Sequence, residues 1–285
     1  AAAERIAGDG RDGGLGDRRD GREAALQELN GLAHVRVAHR LHLLDVGAGR
    51  EGLLGSGDDD AADVGVRVQA LDGLDDLLVA RQPRWAGARS DYDKILKQRN
   101  ALLRSAQSAL KKAARGARLS ADEEVSRETA LDTLVEWNTH LASVGSALVY
   151  ARLRLLKDLA PYVAQAYDEV SAGRSDARLA YVSSLPESTA ARIASGEVPE
   201  RDELEKAFHE AFELQRTREI ERGVTLVGPH RDDVTLTLGD LPAKGYASHG
   251  ESWSFALALR LAAFHLLRHD LGTDPVLVLD DVFAE

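Results

Sequence analysis

The stretch Val276-Leu277-Val278-Leu279-Asp280-Asp281 places two carboxylates directly after four apolar residues. An apolar run of this length that ends in acids predicts a buried parallel strand, which delivers the acids to the carboxyl edge of a sheet. At such an edge one carboxylate can bind the Mg²⁺ of a nucleotide while the other polarises an attacking water. The stretch therefore predicts an α/β fold with a nucleotide site at the end of this strand.

A predicted helix precedes the strand and begins with a serine and a glycine. Ser248 and Gly250 stand before a run from Trp253 to His269 whose apolar residues recur at helical spacing. The free backbone N–H groups and the hydroxyl at such a helix start can bind a phosphate. An ordinary serine N-cap is the alternative. Because the acidic strand end follows about thirty residues later, the corner favours phosphate binding.

Two β-branched runs lie further upstream and predict a strand, a polar loop and a second strand. The runs cover residues 224–227 and 234–238, and the loop between them reads Gly228-Pro229-His230-Arg231-Asp232-Asp233.

The middle of the chain predicts long amphipathic helices. Leucines seven residues apart between Ser90 and Arg118 form one apolar stripe, and a second helix is predicted from Ala121 to Lys157. The two are expected to pack as an antiparallel hairpin. Pro161 is expected to break or restart the helix before residues 162–170, and a further helix is predicted over about residues 201–220.

A row of basic residues follows the apolar stripe of the first helix. The span 94–118 holds eight Lys and Arg and no acid. Four of the eight recur at intervals of seven, namely Lys97, Arg104, Lys111 and Arg118. Such a ribbon is either a solvated face of an arm or a track for DNA phosphates, whose neutralisation releases counterions. Both interpretations stay open at the level of sequence.

Residues 1–73 differ in composition from the rest of the chain. They hold 14 of the 25 glycines and contain no Lys, Pro, Phe, Tyr or Trp. A segment with so few large side chains can hardly build a core, so we expect it to be disordered and not a native domain. It contains one G-x-G-x-x-G, at Gly47, Gly49 and Gly52, but the residues that follow do not read as the helix that a dinucleotide fingerprint requires.

Composition excludes several classes of protein. The chain has no cysteine, which excludes disulfide frameworks and thiolate metal sites. No apolar run approaches the ~18 residues of a membrane span, so we expect a cytoplasmic protein. The net charge of −11 argues against a uniformly basic coat, although a local basic stripe can still hold DNA.

Three ordered motifs give the chain a family resemblance. The loop at 228–233, the corner Ala247-Ser248-His249-Gly250-Glu251 and the end Leu279-Asp280-Asp281-Val282-Phe283-Ala284-Glu285 are similar to the closing motifs of the RecF family. The resemblance covers about residues 74–285. It implies part of a P-loop ABC-type ATPase head, at 223–285, with an α-helical hairpin lobe at 74–222.

The resemblance also implies roles for single residues. Ser248, Gly250 and Glu251 occupy the ABC signature, which contacts the γ-phosphate held by the other subunit of a dimer. Asp280 matches the aspartate that supports Mg²⁺, and Asp281 stands where the catalytic carboxylate is expected. Glu285 begins the loop that crosses the dimer interface.

The family's function is expected to follow only in part. An intact relative is expected to bind ATP with Mg²⁺, to dimerise around ATP and to bind single-stranded and gapped DNA. It is also expected to work with RecO and RecR in loading RecA and in the SOS response. This chain contains no G-x-x-x-x-G-K-[ST] phosphate loop, so we expect weak or no ATP binding and leave its own enzymatic activity open. The alternatives are a coiled-coil scaffold without ATPase or DNA-binding activity and an enzyme that uses the motif at Gly47.

Overall fold

The computed structural model describes residues 71–114, 120–171 and 176–277. Six helices of eight residues or more and three strands lie in these ranges: α1 (71–81), α2 (Arg84–Ala114), α3 (Ala121–Ser171), β1 (Ala177–Val182), α4 (Glu187–Ala194), α5 (Arg201–Arg222), β2 (Asp233–Leu238), β3 (Leu241–Pro242) and α6 (His249–Leu271). A four-residue helical turn, Ala243–Tyr246, precedes α6. Helix α1 already includes residues 71–73, so the change in composition at Gly73 does not coincide with the start of the helix. No helix in the described ranges is long and apolar enough to cross a bilayer.

Helices α2 and α3 form the predicted antiparallel hairpin. Tyr92 lies beside Gly145 and Arg99 bonds Asn138, so the contacts move down α3 as they move up α2. Leu103 of the leucine stripe is fully buried between the helices. A Cβ on Gly145 of α3 would lie 3.0 Å from Phe208 of α5, which shows how closely α5 packs against the hairpin.

The predicted break at Pro161 is wrong, because α3 runs through Pro161 without interruption for 51 residues. Proline removes one backbone N–H and cannot bond the carbonyl of Lys157. Both residues lie on the exposed side of α3, where water can satisfy that carbonyl. The buried side of the same turn keeps its packing through Leu159 and Val163.

The sheet differs from the prediction at one of its two expected strands. Strand β2 is confirmed and pairs antiparallel with β1 in the order β1-β2-β3, with Leu179 opposite Leu236. Residues 224–227 do not form a strand. Their backbone groups bond side chains instead: Asn100 accepts from the N–H of Thr225 at 2.7 Å, and Glu219 accepts from that of Leu226 at 2.7 Å.

One hydrophobic core joins the helices and the sheet. It includes buried residues from α1, α3, α5, β1 and α6, and the Tyr167 and Phe255 rings meet with centroids 5.5 Å apart. Helix α6 extends the predicted helix at both ends. Beyond it, Val276 and Leu277 belong to no strand, and the rest of the predicted acidic strand, 278–281, lies outside the described residues.

Candidate nucleotide and DNA sites

A reciprocal capping box holds the signature corner, residues 248–251 at the start of α6. Ser248 is the N-cap of α6, and its Oγ accepts from the Glu251 N–H at 3.3 Å. The Glu251 carboxylate accepts from both the N–H and the hydroxyl of Ser248 at 2.8 Å. The pair satisfies donors that the first turn would otherwise leave free. Glu251 therefore occupies one of the places where an incoming phosphate would bind.

The surroundings of the corner are open on one side and aromatic on the other. A Cβ on Gly250 would meet nothing within 4 Å, so a ligand can approach the helix start closely there. Burial raises the pKa of the Tyr167 hydroxyl, and the negative charge of Glu251 raises it further. The end of α3 thus lies beside the corner. A serine hydroxyl and the amides of a first helical turn are the kinds of donor that bind phosphate in proteins.

Three of the predicted nucleotide-site residues cannot be located relative to this corner. Asp280, Asp281 and Glu285 lie outside the described residues, as does Arg118 of the basic ribbon. Within the described ranges, no group of three or more acidic or histidine side chains is arranged to hold a metal ion.

The basic ribbon is accessible over the three positions that the structure describes. Lys97, Arg104 and Lys111 are all exposed on α2. The aliphatic stem of Arg104 packs near Gly223, at the carboxyl end of α5, where a Cβ would lie 3.2 Å from the Arg104 Cγ. Arg222 stands in the last turn of α5 and is also exposed, so a second helix brings a basic residue to this part of the surface.

Arg99 belongs to the same basic run but has a different role. It is 1% exposed, and its guanidinium lies over the Phe212 ring at 4.4 Å from the centroid. It donates to Asn138 at 2.8 Å, to the Thr225 hydroxyl at 2.8 Å and to Glu219 at 2.6 Å. A buried ion pair with these hydrogen bonds is a structural element, so Arg99 is not available to DNA.

The loop at 228–233 is held by many hydrogen bonds to its own chain. The Tyr181 hydroxyl donates to Asp232 at 2.7 Å, and the backbone N–H and hydroxyl of Ser184 both donate to the same carboxylate at 2.7 Å. Arg231 donates twice to the Thr225 carbonyl at 3.1 Å. Burial raises the pKa of Asp232, and these hydrogen bonds oppose the shift.

His230 sits inside this loop in its neutral form. Its Nδ1 lies 2.7 Å from the Tyr92 hydroxyl and its Nε2 lies 3.3 Å from the Thr225 carbonyl. Because a carbonyl only accepts, Nε2 carries the proton and Nδ1 accepts from Tyr92. Burial lowers the pKa of His230 to about 4, and neighbouring arginines add to the effect.

A second buried ion pair anchors the loop to the helices. Arg152 of α3 binds both carboxylate oxygens of Asp75 at 2.7 Å and donates to the Pro229 carbonyl at 2.7 Å. A pocket of about 390 Å³ opens beside this pair, and His230 and Asp232 line it. Sequence reasoning identified the loop as a motif but missed Asp75 and Arg152, because residues 77 positions apart share no local pattern.

The nucleotide corner at the start of α6 and the basic ribbon on α2 lie beside distant parts of α3. Arg99, two residues from Lys97, bonds Asn138, while the signature corner adjoins Tyr167. These two α3 residues are separated by 29 positions, which is about 40 Å at a rise of 1.5 Å per residue. The ribbon and the corner are therefore two separate surfaces of the molecule.

The arrangement of helices and sheet is similar to that of solved structures of known proteins. The fold resembles that of the recombination mediator protein RecF in the RecFOR pathway, solved with ATPrS and with ATP. The TM-scores are 0.62 and 0.60 at 22% and 21% identity, and the matches cover 76% and 86% of this chain. The chain thus shares the fold of about half of these solved RecF chains.

Sequence relatives narrow the class to one family. Proteins called DNA replication and repair protein RecF are 51% identical in Beutenbergia cavernae, over 223 residues, and 51% identical in Rhodococcus erythropolis, over 217. The relative in Kineococcus radiotolerans is 52% identical over 218 residues. Each match covers 74% of this chain, which is the share that residues 74–285 make up. The aligned part of the chain belongs to the RecF family, as its motifs predict.

The match covers only part of the length of each relative. The chain spans about half the length of the curated relatives that it matches: 54%, 51% and 52%. It likewise covers 51% and 53% of the two solved chains. No family model matches the chain.

Proposed function

We propose that this chain serves DNA replication and recombinational repair as a RecF-type protein that binds single-stranded and gapped DNA along α2. The observation that carries the proposal is the exposed basic ribbon on a chain about half identical to proteins of that name. Lys97, Arg104 and Lys111 point away from the core, whereas Arg99 is buried, so the helix separates structural from accessible cations. Exposed Lys and Arg in a row suit the regular charges of a nucleic-acid backbone.

Charge reversal of the ribbon tests DNA binding. The variant Lys97→Glu/Arg104→Glu/Lys111→Glu is compared with Lys157→Glu/Arg178→Glu/Lys206→Glu, which makes the same charge change at exposed positions elsewhere. Fluorescence anisotropy with single-stranded and gapped oligonucleotides is measured from 50 to 200 mM salt. We expect at least a tenfold loss of affinity and a shallower salt dependence for the ribbon variant alone, since each lost phosphate contact removes about one counterion. Equal losses in both variants would show only a general effect of charge.

The proposed nucleotide chemistry uses the signature corner. Ser248 and Gly250, with Glu251 displaced, would contact the γ-phosphate of ATP bound by a partner subunit. Asp280 would support Mg²⁺, Asp281 would polarise the attacking water, and Glu285 would lie at the interface. When bound, ATP with Mg²⁺ supplies the phosphoanhydride whose cleavage drives the family's cycle. Because the chain has no phosphate loop, we expect titration calorimetry to find no saturable ATP binding by the chain alone.

The remaining expectations belong to the same proposal. They are ATP-dependent dimerisation, cooperation with RecO, RecR and RecA, a cytoplasmic location, and a division into a helical lobe at 74–222 and a head segment at 223–285. The pathway named for the solved neighbours supports the partners. Pull-down of the chain by RecR with and without gapped DNA tests this part, and absence of any capture would contradict it.

A further inference from the structure

A second cleft lies beside the start of α2, at the opposite end of that helix from Lys111. It has a volume of about 590 Å³ and is formed by the end of α1, the start of α2, the middle of α3 and the start of α5. Each of these four elements brings one arginine to it, and two aromatic side chains join them: Arg81, Arg84, Arg154, Arg201, Trp85 and Tyr150. Four separate elements that converge with the same side chain give the cleft a strong local charge.

Most of this charge is not neutralised within the described structure. Asp158 is the only acid among the described residues that line the cleft, and Arg81 takes it at 3.0 Å while also binding Asp270 at 2.5 Å. The other three arginines have no acidic partner among the described residues. Arg84 donates to Gln82, and Arg201 donates to the carbonyl and hydroxyl of Ser143. Three exposed guanidinium groups therefore face the same space.

One of the two aromatic side chains of the cleft, Trp85, is held in place. The indole N–H of Trp85 donates to the Gln82 side chain at 3.0 Å, which fixes the ring plane. The Arg84 guanidinium lies 5.3 Å from the centre of the same ring. Trp85 and Tyr150 are both half-buried, so part of each ring stays accessible. Fixed aromatic rings beside cations are the recognition elements for bases and phosphates of unpaired strands.

We propose that this cleft binds one or two nucleotides of single-stranded nucleic acid. The arginines Arg84, Arg154 and Arg201 contact phosphates, and Trp85 stacks on a base. An acidic peptide would match the arginines but would leave the rings unused, so the aromatic content favours nucleic acid. The inference rests on the proposed DNA-binding function but adds a contact that is separate from the α2 ribbon.

The first test removes the charge of the cleft. The variant Arg84→Gln/Arg154→Gln/Arg201→Gln keeps Arg81, because its ion pairs join α1 to α3 and α6. The control Arg178→Gln/Arg192→Gln/Arg268→Gln removes three exposed arginines elsewhere. With a fluorescent oligo-dT we expect at least a tenfold loss of affinity for the cleft variant. Its slope of log affinity against log salt should fall by about 1, since one or two phosphate contacts to a single strand contribute about 0.7 each.

The second test reports stacking directly. The chain has three tryptophans, so Trp137→Phe/Trp253→Phe leaves Trp85 as the only indole. Oligo-dT should quench its fluorescence, and Trp85→Leu should weaken binding about tenfold while the salt slope stays unchanged. Circular dichroism and urea unfolding of each variant check that the fold is retained.

The outcomes separate this inference from the proposed function. If the ribbon variant loses affinity while the cleft variant and Trp85→Leu bind oligo-dT like the parent chain, the cleft inference is overturned and the proposed function stands. If polyglutamate displaces oligo-dT at equal charge and Trp85 is not quenched, the cleft is a site for acidic peptide and the inference is again overturned. If the parent chain binds no oligonucleotide, both fail.

Discussion

Two motif regions of this molecule hold their residues in opposite ways. The segment 224–233 is bonded to side chains from α2, α3, α5 and the segment after β1. The helix start at 248–251 is held by two of its own residues, and Ser248 and Gly250 are exposed. Both regions contribute to the family resemblance. The first supports the fold, whereas the second is available to a ligand.

The difference shows that a motif does not reveal by itself whether its residues contact a ligand. His230, Arg231 and Asp232 are residue types that often act on substrates, yet here they bond the protein's own backbone and side chains. Ser248 looks like a common helix cap, and its surroundings leave room for a phosphate. Stability should therefore depend strongly on the first region and weakly on the second.

The largest effect should come from the ion pair that holds residues 225 and 226. Arg99→Met leaves the Glu219 carboxylate buried without its cation, which costs about 3–5 kcal/mol of the free energy of unfolding. Arg99→Met/Glu219→Leu removes both charges and should lose clearly less. Urea unfolding followed by circular dichroism measures both. A double variant as unstable as the single one would show that the pair's hydrogen bonds, and not its charge, support the segment.

A smaller loss is expected at the first residue of the loop. Gly228 has φ of 132°, and a Cβ there would lie 2.4 Å from the Tyr92 hydroxyl, so Gly228→Ala combines backbone strain with a clash and should cost about 3 kcal/mol. Gly196 also has a positive φ, of 87°, but a Cβ would meet nothing within 4 Å. Gly196→Ala should therefore cost only about 1 kcal/mol of strain. Equal losses in thermal unfolding at the two positions would exclude the proposed clash.

The partly buried His230 should make stability depend on pH. The pKa of His230 is lowered to about 4 in the folded chain and is about 6.5 when unfolded, so the unfolded state gains the proton first on acidification. Its contribution is complete above pH 6.5 and is lost as the pH falls towards 4. Because the side chain is partly exposed, solvent screening reduces the loss between pH 7 and 5 to roughly 1–2 kcal/mol. The raised pKa of Asp232 acts in the opposite direction.

The parent chain and the His230→Gln variant both keep Asp232. Comparing their stability therefore isolates the contribution of the histidine. Urea unfolding at pH 7, 6 and 5 should give a steeper loss for the parent chain than for the variant. Parallel profiles would mean that His230 titrates in the folded chain as it does in water.

The smallest effect is expected at the signature corner. Ser248→Ala removes the acceptor for the Glu251 N–H and should cost about 1 kcal/mol. Ser105, exposed in the interior of α2, is the matched control, and Ser105→Ala should be neutral or slightly stabilising. A loss of 3 kcal/mol or more for Ser248→Ala would place this corner among the buried supports and remove the contrast between the two regions.

Sequence patterns predicted the helices better than the strands. Helix α2 and the helices at 121–157 and 201–220 are confirmed, because burial against a core imposes a period that local sequence records. Of the leucine stripe on α2, Leu103 is buried but Leu110 is exposed. Residues 224–227 read as a strand because they are β-branched, but Asn100 and Glu219 provide their hydrogen bonds in place of a neighbouring strand. Strand β1 was missed, since Ala177 to Val182 only becomes a strand through its pairing with β2.

The sequence by itself determined the family and the order of its motifs. These depend on residue types at fixed spacing along the chain, which can be read without knowing how the chain folds. Only the tertiary structure decided which cations of α2 are free: Arg99 and Lys97 are two positions apart, and one turns into the core while the other faces water. The structure alone also brought Asp75 to Arg152 and four arginines to one cleft. Burial and ion pairing depend on contacts between distant residues, and no local pattern encodes them.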